Sequence, residues 1–552
     1  MSELTHGEAM SWLARQDPHR RAIVCDGASV TRIELDGRAN AMARTYARLG
    51  VKGDDIVALM VPNSIEFYVA ALAVWKLGAV PMPVSHRLPD AELEPILDLA
   101  QPSLVVGVDG DRPAAARFAS VAIGFEADPA VDDAPLPPAL ARYGRALTSG
   151  GSTGRPKLVV SHVLAVVDPE SETVGLGPDS VQLVPGPLFH NAPFITSCQG
   201  LLRGATLVVM TRFDPAVMLE LIEQQRVTWM QVVPTMLQRV WRLPDQERLG
   251  RDVSSLEVVF STGGPFPAWL KQAWAGWIGA DKLLEAYGSS EQYGGSTLVT
   301  GEEALRKPGT VGRPRYGPPR IVDENGHPVG VGQVGLIYFE RLEKPNYHYL
   351  GAESQIVDGW ETLGDMGYVD EDGYLFLADR RVDMIVTGGE NVFPAEVEAA
   401  LDQHPDVRSS AVIGLPDDDL GQRVHAIVDV GRHDGTIADV GPAELLPSWP
   451  IASCATRSPA PSSWSASRCA PTRARCGGPS SATNGSPRRR RRSSASKHVI
   501  VRRTLRVPST GTWVNEFRRA SSSYVVSLAD PHCEQPGIDV GLGTATGSPG
   551  GH

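Results

Sequence analysis

Between Leu445 and Asn515 the chain contains no aspartate and no glutamate. The first 444 residues carry 60 acidic and 37 basic side chains, whereas the last 108 carry 4 and 15, so the formal net charge of −12 conceals a body near −23 and a tail near +11. The acidic body is a poor match to a nucleic-acid surface, and only the tail, with five arginines at Arg488–Arg492, has suitable charge. That run lacks interleaved aromatic residues on which bases stack, so no nucleic-acid partner is expected. Cysteine is scarce too. Cys25 and Cys198 alone lie in the body, which excludes a disulfide framework and fits a reducing cytoplasm. Cys454, Cys469, Cys476 and Cys533 of the tail show no metal-ligand spacing, so no zinc site is expected there. Long apolar runs are also missing. The longest, Val69–Val84, is interrupted by Lys76 and Gly78 and is too short to span a bilayer. No basic segment followed by an apolar run opens the chain, so no signal peptide is expected.

What is present reads as strand and helix in alternation. Asp55–Val61 has the pattern of a strand, Ser64–Leu77 that of a helix, and Ala79–Val84 that of a strand. Ala205–Met210, Val227–Val233, Leu256–Phe260 and Lys282–Ala286 repeat the strand pattern. The class expected is α/β: open, largely parallel sheets covered by helices, with ligands at the carboxyl ends of strands. The body is too long for one core. A large domain is expected over 1–378, and the first half of a small α+β domain over 379–445. In the small unit the pattern predicts a helix over Pro394–Leu401 and strands over Val407–Ile413 and Arg423–Val430. Gly431–Gly441 reads as a loop before a further helix at Pro442. The segment 446–552 has too little apolar periodicity to complete that unit and is expected to be largely disordered.

The chemistry is carried by five short runs. Leu147-Thr-Ser-Gly-Gly-Ser-Thr-Gly-Arg-Pro-Lys157 combines glycines that permit close backbone approach, hydroxyls that donate to phosphate oxygens, and a lysine charge. It departs from the GxxxxGK[ST] phosphate loop, and by itself a polar turn is an equal reading. The others are Ser261-Thr-Gly-Gly-Pro265, Tyr287-Gly-Ser-Ser-Glu291, Gly364-Asp365 and Asp379-Arg-Arg-Val-Asp-Met-Ile385. Taken singly, Asp365 reads as a turn residue and Arg380 as a surface charge.

In this order and spacing the five runs resemble the ANL superfamily of adenylate-forming enzymes, from about residue 10 to 440. Thr387-Gly-Gly-Glu-Asn-Val-Phe-Pro394 is similar to the segment that acyl-CoA synthetases present to coenzyme A. The resemblance implies ATP-dependent activation of a carboxylic acid to an acyl-adenylate, then transfer to coenzyme A, with ATP, Mg²⁺ and coenzyme A as cofactors. It implies that Ser149, Gly150, Gly151, Ser152, Thr153, Gly154 and Lys157 grip the β- and γ-phosphates. Ser290 would contact the α-phosphate and Glu291 would hold Mg²⁺. Gly263, Gly264 and Tyr287 would frame adenine, Asp365 would accept from the ribose hydroxyls, and Arg380 would assist. Gly388 and Gly389 would lie in the coenzyme A segment. Pro187-Leu-Phe-His-Asn-Ala-Pro-Phe194 is similar to ligases of bulky hydrophobic or steroid-type acids, with His190 at the end of the acyl tunnel; a buried structural histidine is the rival reading. Phe189 and Phe194 read as pocket or core walls. Two positions depart from the family: Leu363 replaces a hydroxyl residue before Gly-Asp, and Val382 occupies the hinge, commonly Asp or Lys.

The family's small domain ends with a Gly-Lys whose lysine serves adenylation, and nothing of that form follows Asp383. The genetic code suggests why. Joining the last base of each tail codon to the first two of the next turns Trp449-Pro450 necessarily into alanine. With allowed synonymous codons, Trp449–Ser463 then spells Ala-Asp-Arg-Leu, and further on Arg-Tyr-Lys, in the manner of a ligase. Arg473–Pro479 likewise allows Gly-Lys-Val-Arg-Arg. A frameshift by loss of one base near Leu446 or Pro447 accounts for both; a genuine basic tail is the alternative. An adenylate-only ligase and a non-catalytic nucleotide- or acyl-binding relic with a basic tail stay open as functions.

Overall fold

The computed structural model describes residues 3–109, 111–149, 156–291, 295–381, 383–387, 390–404, 406–417 and 421–430, and the backbone of 499–503 and 523–528. The predicted Ser64–Leu77 helix forms over Ile65–Lys76, started by Ser64, whose side chain accepts from the Phe67 amide. Apart from Glu66 every residue in it is buried, which is why its sequence is apolar nearly all round. It links the parallel strands Ile56–Leu59 and Val80–Pro83 of a four-stranded sheet. Lys76 closes it inside the core, its Nζ 2.7 Å from Asp36 Oδ1 and donating to Ser11 and the Gly7 carbonyl, so the buried charge is fully paired.

A second sheet contains the other predicted strands as Thr206–Val209, Trp229–Val232, Val258–Thr262 and Leu283–Ala286. With Val181–Val184 and Arg21–Cys25 they form a parallel run. Beyond Leu283–Ala286 the sheet turns antiparallel through Thr297–Thr300, Thr310–Pro314, Leu375–Arg380, Asp365–Val369 and Gly335–Glu340. The largely parallel expectation therefore holds for one half only. Antiparallel neighbours need no crossover helix, so the strand-helix rhythm on which the expectation rested fades there. A third, antiparallel sheet joins Arg145–Ser149, Lys157–Ser161 and Tyr347–Leu350.

The small unit begins as predicted. Its helix spans Pro394–Leu401, and its strands Val407–Asp417 and Gly421–Val430 pair antiparallel. Val397 and Leu401 pack on Val407, Val412, Val424 and Val428. Of the tail expected to be disordered, two stretches are strands: Ser523–Leu528 pairs with Gly421–Val430, and Val499–Arg503 pairs with Ser523–Leu528. The remaining tail residues, its cysteines included, the loop expected at Gly431–Gly441 and the helix expected at Pro442 lie outside the described residues. Cys25 and Cys198 are buried free thiols, and no described helix is long and apolar enough to cross a membrane.

His6 gives this core a pH dependence. Its ring lies edge-on to Trp75 at 4.5 Å, and burial, reinforced by the nearby Arg145 and Arg203 charges, pushes its pKa down to about 3. Below about pH 6.5 the unfolded chain takes up a proton that the folded chain refuses, so stability is full above that value and falls as the medium is acidified. Denaturant titration is expected to give a His6→Gln variant a pH slope shallower than the parent's by about 0.7 kcal/mol per pH unit at pH 6.5, rising toward about 1.4 at pH 5. Equal slopes would place the His6 pKa near its ordinary value.

Candidate active site

The glycine- and hydroxyl-rich run connects two neighbouring strands. Arg145–Ser149 and Lys157–Ser161 run antiparallel with Ser149 opposite Lys157, so both ends of the run are fixed by a sheet. Gly150, Gly151, Ser152, Thr153 and Gly154 lie outside the described residues. Lys157 Nζ donates to Tyr349 Oη at 3.1 Å and sits 3.7 Å from Glu291 Oε1; its side chain is 25% exposed and that of Glu291 8%.

Two further runs follow parallel strands at their carboxyl ends, where an open α/β sheet presents its ligands. Val258–Thr262 delivers Gly263 and Gly264, and Leu283–Ala286 delivers Tyr287, the half-buried Ser290 and the buried Glu291. Gly263 has φ +86°, a conformation that disfavours a side chain. Gly364, at φ +91°, turns the chain into the Asp365–Val369 strand. There Tyr287 donates its hydroxyl to Asp365 Oδ2 at 2.6 Å, joining two runs far apart in sequence. Asp365 stands opposite Arg380 in the strand register, while the Arg380 side chain, like Gly388, Gly389 and the hinge residue Val382, lies outside the described part. Leu363 packs in the cluster that holds Tyr287, Tyr347 and Tyr349.

His190 precedes the Asn191–Leu202 helix and its residue surface is exposed. It lies against Phe189 at 4.6 Å, and partial burial holds its pKa below the ordinary imidazole value. Phe194, by contrast, is a core residue stacked on Trp75 at 5.7 Å. A cavity of about 270 Å³ bordered by Arg38, Tyr46, Glu66 and Val131 contains none of these motifs.

Two residues escaped the sequence reading. Asn63 donates to the Gly186 and Met210 carbonyls and accepts from the Leu188 amide, fixing the loop that carries Phe189 and His190. Tyr349 links Lys157 to Glu291, donating to Glu291 Oε1 at 2.7 Å. No local pattern announces either, because the partners are distant in sequence. Near the small unit, Asp379 accepts from the Ala395 amide at the start of the Pro394–Leu401 helix. Arg242, after the Pro234–Trp241 helix, donates to the Asp402 and Arg408 carbonyls, and Gln238 to Asp402 Oδ2.

The sequence pattern of the AMP-binding enzyme family matches residues 10–342, and that of the AMP-binding enzyme C-terminal domain matches 396–445. The chain belongs to the AMP-binding enzyme family. Within that family it stands in the acyl-CoA synthetase branch of the ANL superfamily. It is 34% identical over 446 residues to a feruloyl-CoA synthase of Amycolatopsis sp, covering 76% of this chain and 88% of the relative. It is 31% identical over 456 residues to the long-chain-fatty-acid–CoA ligase FadD13 of Mycobacterium tuberculosis, covering 77% and 89%. The ATP-bound crystal structure of MatB from Rhodopseudomonas palustris superposes with a TM-score of 0.66 at 26% identity, covering 80% of this chain and 91% of that one. By family this is an AMP-forming acid–CoA ligase, whose chemistry uses ATP, Mg²⁺ and coenzyme A. The donor set fits them. Among the described residues no three His, Cys, Asp or Glu side chains are grouped to cage a metal, and Glu291 beside Lys157 suits Mg²⁺, which takes one or two carboxylates with phosphate and water oxygens.

Proposed function

We propose that this AMP-binding enzyme activates a hydrophobic carboxylic acid, of fatty, aromatic or steroid type, and passes it to coenzyme A. The observation that carries the reading is the convergence of motifs far apart in sequence: Lys157 lies 3.7 Å from Glu291, and Tyr287 is bonded to Asp365. Both reactants, a carboxylate and a triphosphate, are anionic, so rate depends on positioning and on fixed positive charge. Lys157 and the Ser149–Gly154 run hold the terminal phosphates, and Ser290 meets the α-phosphate. Gly263, Gly264 and Tyr287 frame the base, and Asp365 with Arg380 holds the ribose. Glu291 holds Mg²⁺, which when bound neutralises phosphate charge. His190 and Phe189, on the loop fixed by Asn63, face the acid, and Gly388 and Gly389 meet coenzyme A. The half-reactions need two orientations of the small unit, so the Arg242 and Gln238 contacts to Asp402 hold one of them.

As written the chain lacks the adenylation lysine and is a poor ligase. That reading is supported by the C-terminal family match, which ends at residue 445, beside the proposed frame change. The two buried thiols fit a cytoplasmic setting. Relatives named for feruloyl, long-chain fatty and indoleacetate substrates support a hydrophobic acid of either type. In a frame-restored chain, pyrophosphate release across aromatic, fatty and steroid acids is expected to favour one class at least tenfold, the discrimination that apolar pockets supply. Equal release from short polar acids would remove the hydrophobic assignment.

A further inference from the structure

Tyr349 lies between the two charged groups on which the proposed nucleotide site rests. Its strand, Tyr347–Leu350, pairs with Lys157–Ser161 so that Tyr349 faces Val159 and shares a sheet face with Lys157. The hydroxyl accepts from Lys157 Nζ at 3.1 Å and donates to Glu291 Oε1 at 2.7 Å. The lysine ammonium also lies 4.1 Å from the centre of the tyrosine ring. A phenol keeps its proton at neutral pH and a carboxylate only accepts, so the hydroxyl is the donor in this bond. The ring itself is held edge-on by Tyr347 at 4.9 Å, and Tyr347 is tied in turn to Ser354 and Glu361. Glu291 therefore has one oxygen engaged, and its other oxygen makes no hydrogen bond among the described residues.

Resting on the assignment of Glu291 to Mg²⁺, we propose that Tyr349 is a positioning residue for the metal site, orienting the Glu291 carboxylate and spacing it from Lys157. Without the phenol, Lys157 can close the 3.7 Å gap to Glu291 and compete with the cation for the carboxylate. Groups of this kind, bonded to a metal ligand, typically change metal affinity 10- to 100-fold when removed.

The test is calorimetric titration of ATP into the 552-residue chain at a series of Mg²⁺ concentrations and in EDTA. Tyr349→Phe retains the ring and its contact with Lys157. It is expected to raise the Mg²⁺ midpoint about tenfold, with ATP affinity in EDTA unchanged. Tyr349→His keeps a ring N–H donor and is expected to stay within about threefold of the parent, which supplies a second reading if the Phe variant does not fold. In a Glu291→Ala background the Phe change should add nothing, since its partner is gone. A Phe variant with a lower melting temperature but the parental Mg²⁺ midpoint would make Tyr349 purely structural and overturn the inference. Glu291→Ala separates the two levels. If it leaves the Mg²⁺ dependence unchanged, the metal-site reading itself fails. If it shifts the midpoint and Tyr349→Phe does not, only the role of Tyr349 fails.

Discussion

Asp365→Ala is expected to weaken Mg-ATP binding about 100-fold in calorimetry, the loss of two hydrogen bonds to a charged acceptor at about 1.5 kcal/mol each. The carboxylate starts a strand directly after Gly364, whose φ of +91° sets the turn, and it is already anchored by the Tyr287 hydroxyl at 2.6 Å. It is therefore preorganised to accept from a ribose without collapsing first. The substitution also frees Tyr287, so the loss falls on the base as well as the sugar. Asp365→Asn, which keeps one acceptor oxygen and the size of the side chain, should lose less. ATP affinity within threefold of the parent in the alanine variant would remove the nucleotide-site assignment.

Adding one base near the Leu446 codon is expected to raise acid-dependent pyrophosphate release at least 100-fold over the chain as written. A single positive or donor group aimed at developing charge is typically worth 10²- to 10³-fold. With the codons that Arg473–Arg475 allow, the restored frame would supply such a group as the lysine of its Gly-Lys. ATP affinity should change little, because the nucleotide runs from Ser149 to Asp365 lie in the large domain in both versions. Equal release from both chains would remove the displaced-frame account and leave the basic tail as a functional part.

Much of the fold was legible because its signals are local. The Pro394–Leu401 helix begins at a proline suited to the first helical turn and carries Val397 and Leu401 one turn apart on its buried face. The strands at Trp229–Val232, Val258–Thr262 and Leu283–Ala286 are short β-branched or apolar runs, as buried parallel strands are. The motif residues were legible as types, since phosphate chemistry calls for glycine, hydroxyl and lysine together. What stayed hidden is register across long sequence gaps. Nothing near Tyr349 tells that it lies opposite Val159, and Asn63 is a plain loop polar residue until the Gly186 and Leu188 backbone is brought against it. The antiparallel half of the large sheet was missed for a related reason: apart from the short Gly301–Arg306 helix no helix separates its strands, so the alternation that marked the parallel half is absent.

The most direct measurement is mass spectrometry of the products of the frame-restored chain given Mg-ATP and the panel of aromatic, fatty and steroid acids. An acyl-adenylate should appear with at least one acid in the absence of coenzyme A and be converted to the acyl-CoA thioester when coenzyme A is added. Mg-ATP binding with no adenylate from any acid would contradict the account.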